Sequence, residues 1–146
     1  MSSYLDRIGA GLILSNPEIF GFDFIPDVLV GREEIQGQLA AIFSSIAHPE
    51  GTGRAVITGP VGSGKTALVR RFCDDVVRHL ADRRNIKTVH VNCRNAATAS
   101  RVMQKIVQEL DPGHPDRGLG VGELLTSLRR MMQSDNAHLI VVLDEV

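Results

Sequence analysis

The chain has 146 residues, enough for one domain at roughly 100–200 residues each and too few for two. Hydrophobic residues make up 43% and charged residues 23%, which excludes a disordered tail or a fibre. With 16 Lys+Arg against 17 Asp+Glu the net charge is −1, which excludes a wholly basic nucleic-acid coat protein and leaves room for a local basic patch.

Residues 1–30 are broken by Pro17, Gly21 and Pro26 and anchored by Ile19, Phe20, Phe22, Phe24 and Ile25. They read as an arm lying over a domain formed by residues 31–146, with a short helix at 8–14. The first residues lack a basic stretch followed by an apolar core, so no secretory signal is predicted. Residues 32–47 read as a helix, with Ile35, Leu39, Ile42 and Ile46 inward. Residues 48–53 follow as a loop. Ala55-Val-Ile-Thr58 is a short apolar run leading into glycines, a buried-strand pattern. Residues 65–83 read as a helix with Leu68, Phe72, Val76 and Leu80 on its inner face; Arg70, Arg71, Asp74, Asp75 and Arg78 give a solvated outer face of mixed sign.

Residues 87–92 alternate as a strand with Val89 and Val91 on one side. Helices are predicted at 99–110, with Val102, Ile106 and Leu110 inward, and at 121–133, with Leu125, Leu128 and Met132 inward. Gly120, Val121 and Gly122 make a weak start for the last helix, where Ser or Thr is the usual cap. Leu139 to Leu143 is apolar on both faces, as in a central parallel strand. This run is far short of the ~20 residues that span a bilayer, so no membrane partner is expected. Strands alternating with helices predict an α/β fold with a parallel sheet covered on both faces. Cys73 and Cys93 are too few for a disulfide framework or a four-cysteine zinc site and read as small buried fillers.

Gly59-Pro60-Val61-Gly62-Ser63-Gly64-Lys65-Thr66 satisfies every fixed position of G-x-x-x-x-G-K-[ST]. It lies between a predicted strand and a predicted helix, where the chemistry requires it. The glycines let the backbone curl so that successive N–H groups face phosphate oxygens, and the helix adds its positive end. These residues and Ala67 are the candidate nucleotide-binding set, with Lys65 reaching the β- and γ-phosphates and Thr66 ligating Mg²⁺. The strand ending in Asp144-Glu145 supplies the second element. Asp144 is a candidate Mg²⁺ ligand and Glu145 a candidate to orient or deprotonate the attacking water. Lys65, Asp144 and Glu145 thus form the candidate catalytic set of an ATPase using ATP and Mg²⁺. Asn92-Cys93-Arg94 ends the preceding strand beside this site.

From Ile19 onward the chain resembles the archaeal DNA replication initiators named for origin recognition complex subunit 1 and cell division control protein 6, which are AAA+ ATPases. The resemblance rests on Phe24-Ile-Pro-Asp-Val-Leu-Val-Gly-Arg-Glu-Glu34, the glycine loop, Val89-His-Val-Asn-Cys-Arg94, Pro115-Asp-Arg-Gly-Leu119 and the terminal acidic strand. It implies a P-loop NTPase AAA+ three-layer αβα fold, here incomplete with strands 1–3 only, since the chain stops just after the acidic strand. In the family's sheet order another strand separates the phosphate-loop strand from the acidic strand, so the former is expected to lack a partner. The resemblance also implies an adenine pocket built from the segment before the first helix, with Leu29 and Val30 as walls and Arg32 contributing, and a DNA contact at Arg117. It implies origin double-stranded DNA and the replicative helicase as partners, self-association through the ATPase domain, and a cytoplasmic, nucleoid-associated location. ATP hydrolysis by this stretch alone is expected to be weak or absent. A STAND-type regulatory P-loop ATPase and an inactive fragment are the alternative readings.

Overall fold

The computed structural model describes residues 29–115 and 118–146. Its centre is a pair of parallel strands, β1 (Asn85–Asn92) and β2 (Ala137–Asp144), in register from Asn85 opposite Ala137 to Asn92 opposite Asp144. Side chains alternate across a strand, so this register sorts the apolar residues onto two faces. One face carries Val89, Val91 and Leu139. It is covered by α3 (Ala99–Leu110) and α4 (Val121–Ser134) through Val102, Ile106, Leu110 and Leu128. The other face carries Ile86 and Ile140. It is covered by α2 (Lys65–Leu80) and a 3-10 turn at Ser44–Ala47, through Val76, Leu80, Phe43 and Ile46. The result is the expected three-layer α/β/α arrangement.

Most predicted helices form for the predicted reason. Leu68, Phe72 and Leu80 of α2 are buried, and its outer face holds Asp75 between Arg71 (3.1 Å) and Arg78 (3.6 Å). Thr98 caps α3, its hydroxyl accepting from the Arg101 N–H at 3.3 Å. The glycine start of α4 is repaired from inside the helix. The Glu123 carboxylate reaches back to accept from the Gly120 N–H at 2.9 Å.

Four expectations are corrected. The strand expected at residues 55–58 does not form, so the described residues hold two strands and not three. A strand exists only through a neighbour's ladder, and among the described residues nothing pairs with this run, which leaves Val56 90% exposed. The helix expected over 32–47 stops early. The regular part, α1 (Glu33–Ile42), gives way to the tighter 3-10 turn, which rotates Ile42 outward and brings Phe43 in against Phe72, ring centroids 5.6 Å apart. In α4 the deeply buried residue is Leu124, absent from the expected inner face. Finally, β2 is not buried on both faces. Its Leu139 end packs under the helices, while Val141 and Leu143 stay open. The predicted arm, its helix at 8–14 and Arg117 lie outside the described residues.

Candidate phosphate and metal site

The site grows from the glycine loop between residue 58 and α2. Gly62 (φ +76°) and Gly64 (φ +79°) adopt left-handed backbone that residues with a Cβ avoid. Gly64 is the cap residue of α2 and has no side chain to satisfy the first-turn N–H groups, and no acidic residue occupies that turn. The positive end of the helix dipole is therefore left for an external anion. Val61 stands at the tip of the loop, fully exposed.

Lys65 begins α2 and folds its ammonium back over the loop. It donates to the Gly59 carbonyl at 2.8 Å, the Pro60 carbonyl at 2.7 Å and the Ser63 hydroxyl at 3.4 Å. The mobile charge of the site is thus parked on carbonyl oxygens that a phosphate can replace. One residue further on, the Thr66 hydroxyl donates to Asp144 Oδ2 at 2.6 Å. This bond joins residues 78 positions apart and ties the start of α2 to the end of β2. Sequence order does not reveal it; the parallel register does, by placing Asp144 on the sheet face that α2 covers.

Glu145 follows with left-handed backbone, φ +54°. Its N–H donates to Asp144 Oδ1 at 2.9 Å, and its carboxylate accepts from Asn92 Nδ2 at 2.8 Å. Arg94 Nε lies 3.5 Å from the same oxygen. Both carboxylates are thereby fixed at the C-terminal edge of the sheet, Asp144 toward the glycine loop and Glu145 toward the end of β1. His90 lies on the same sheet face as Asp144. Burial pushes its pKa below the ordinary 6.5, with Arg70 adding to the shift and Asp144 and Asp74 opposing it.

Thr66 and Asp144 offer hard oxygen donors of the kind Mg²⁺ selects. Among the described residues no group of three or more His, Cys, Asp or Glu forms a metal cage. A hydroxyl, one carboxylate and open coordination positions suit a cation that arrives with a phosphate. Of the other predicted contributors, Val30 is 89% exposed and Leu29 half-buried. The Arg32 guanidinium, drawn from the segment before α1, donates to the Ser63 carbonyl. A cavity of about 690 Å³ lies between α1 and α2, lined by Phe43, Phe72 and Val76, and contains none of the predicted site residues. The sequence marks Asn92 only as a strand end; its contact with Glu145 follows from the register.

A glycine loop closing onto a helix, bonded through a threonine to a strand-end carboxylate, defines a phosphate-loop α/β domain. Residues 28–146 match the family described as the AAA ATPase domain, and the chain belongs to that family. It resembles archaeal ORC1-type replication proteins along most of its length. It is 34% identical to ORC1-type DNA replication protein 2 of Saccharolobus solfataricus, over 92% of this chain and 33% of that protein. It is 33% identical to ORC1-type DNA replication protein 1 of Aeropyrum pernix, over 85% of this chain and 32% of that protein. Among solved structures, the Aeropyrum pernix ORC1 protein in complex with DNA superposes with a TM-score of 0.73 at 29% identity, covering 88% of this chain and 34% of that one. The Aeropyrum pernix ORC2 protein in ADPNP–ADP complexes gives 0.75 at 25% identity, covering 90% and 35%. The chain therefore spans about a third of the length of the relatives it matches.

Proposed function

We propose that this chain is the ATP- and Mg²⁺-binding part of a DNA replication initiator that binds origin DNA and helps load the replicative helicase. The observation that carries the proposal is the Thr66–Asp144 bond of 2.6 Å, which brings a hydroxyl and a carboxylate to the mouth of an uncapped helix N-terminus. In this reading the N–H groups of residues 62–66 bind the β-phosphate. Lys65 leaves the Gly59 and Pro60 carbonyls to reach the β- and γ-phosphates. Thr66 and Asp144 would hold Mg²⁺, which would neutralise phosphate charge. Glu145 serves the attacking water, but its carboxylate is engaged by Asn92 and Arg94 and must turn away from them first. That engagement favours ATP as a conformational switch over ATP as fuel for rapid turnover. Relatives named as replication proteins, and a structural neighbour in complex with DNA, support the initiator role over a STAND-type regulator. Leu29 and Val30 belong to the adenine side, and Arg117 is the candidate DNA contact; self-association through the ATPase domain completes the proposed partner set.

The direct test is equilibrium binding of a fluorescent ATP analogue with Mg²⁺ and with EDTA. Binding strengthened by Mg²⁺ and weakened at least ~10-fold by Lys65→Ala is expected, one lost charge-assisted contact being worth about that much. Equal binding by wild type and K65A would overturn the nucleotide reading. For the DNA role, Arg117→Ala should weaken origin binding; unchanged affinity removes Arg117 from the interface.

A further inference from the structure

Arg32 sits where electrostatics disfavours it. It is the N-cap residue of α1, its carbonyl accepting from the Gln36 N–H at 2.9 Å, a helix position where the dipole favours an acidic or neutral side chain over a cation. Glu33 and Glu34 in the first turn offset that cost, and no side chain caps the helix. Gly31, at φ +73°, turns the chain just ahead of it. The half-buried guanidinium then crosses 31 residues of sequence to donate to the Ser63 carbonyl. The peptide following Ser63 is the one whose N–H belongs to Gly64, the left-handed residue that opens α2.

We infer that Arg32 is the positioning residue of the phosphate loop, acting on the nucleotide through the Ser63–Gly64 peptide. The peptide is trans, so its C=O and N–H point in opposite directions. Holding the carbonyl outward on Arg32 turns the Gly64 N–H inward, toward the phosphate position. A glycine at φ +79° has no Cβ to resist a peptide flip, so the loop needs an outside tether to keep that N–H aimed. Lys65 does not hold this carbonyl: its ammonium donates to the Gly59 and Pro60 carbonyls and reaches Ser63 only at its hydroxyl, at 3.4 Å. The tether also joins the segment before α1 to the loop, so the two walls of the nucleotide site move together. Arg32 thus acts at the phosphate end, where the family resemblance alone assigns it to the adenine end.

This inference rests on the nucleotide-binding reading, and the test separates the two. Wild type, R32A, R32K and K65A are compared for binding of ATP, ADP and adenosine, together with amide exchange of Ser63 in the nucleotide-free chain, where its N–H is bonded to the Pro60 carbonyl at 3.3 Å. R32A is expected to weaken ATP and ADP by about tenfold, leave adenosine within about twofold, and speed Ser63 exchange by about tenfold. R32K, which keeps a long cationic donor, should recover most of both effects. Equal losses for adenosine and ATP would make Arg32 an adenine wall and overturn the inference. Weaker ATP binding with unchanged Ser63 exchange would make it a direct phosphate contact and also overturn it. If wild type and K65A bind ATP equally, the nucleotide reading fails, and the exchange measurement still decides the tether: faster in R32A upholds it, unchanged rejects it.

Discussion

Replacing Gly51 by alanine should unlatch the turn that carries Ile46 and Phe43 into the core. A Cβ built on Gly51 falls 1.7 Å from the Ser45 carbonyl oxygen, and real Cβ contacts essentially never come under 3.0 Å. The two backbones must therefore separate by at least 1.3 Å (3.0 − 1.7), and because both groups are main chain no rotamer change relieves the clash. That separation breaks or stretches three bonds. They run from the Gly51 N–H to His48 O at 3.1 Å, from the His48 N–H to Ser45 O at 3.0 Å, and from Ser45 Oγ to Thr52 O at 2.8 Å. At roughly 1 kcal/mol each, within a range of about 0.5–1.5, the local cost is about 3 kcal/mol, or an opening equilibrium about 150-fold larger. Amide hydrogen exchange reads this directly at Ile46 and His48, whose N–H groups close the turn. Gly37→Ala is the control, since its Cβ meets nothing within 4 Å on α1; it should slow exchange there by about 0.5–1 kcal/mol. Unchanged exchange at Ile46 and His48 in G51A would refute the packing argument.

Three further outcomes are expected. Thr66→Val keeps the shape of the side chain and removes the hydroxyl bonded to Asp144, so Mg²⁺-dependent ATP affinity should fall about tenfold while binding in EDTA stays constant; a Mg²⁺ titration of both proteins checks this. Burial, aided by the Asp74 carboxylate, pushes the Cys73 thiol up to about 11, so under native conditions at pH 8 iodoacetamide should label the half-buried Cys93 and spare Cys73; comparable labelling of both would contradict the burial. His90 and His138 both sit below 6.5, chiefly because burial disfavours their charged forms, so the unfolded chain takes up protons that the folded chain refuses. Their effect on stability is constant above about pH 7 and turns unfavourable as pH falls through 6.5, and denaturant unfolding from pH 8 to 5.5 should show the loss reduced in His90→Gln.

The helices were legible because their signals are local. The α3 boundaries follow from Thr98 and from apolar steps of four, and the α2 core from Leu68, Phe72 and Leu80. The glycine loop was legible because its conformation demands residues that few other purposes need at that spacing, namely Gly62 and Gly64 in left-handed backbone. The 55–58 run misled because apolarity marks a segment able to be a strand, whereas the ladder that makes it one belongs to a neighbour. Ile42 and Phe43 exchanged roles for a related reason: a helical period holds only while the helix does, and the 3-10 turn changes it.

By itself, then, the sequence determined the chemistry available: a phosphate-gripping loop, a lysine, a threonine and two strand-end carboxylates in a mixed-charge α/β domain. Only the tertiary structure decided which of these meet. The parallel register put Asp144 on the α2 face beside Thr66 and left Glu145 against Asn92, and the turn at Gly31 sent Arg32 to the Ser63 carbonyl. Residue types and short spacings carry local conformation and donor chemistry. Contacts between positions 31, 53 and 78 residues apart depend on how layers stack, and no local pattern encodes that.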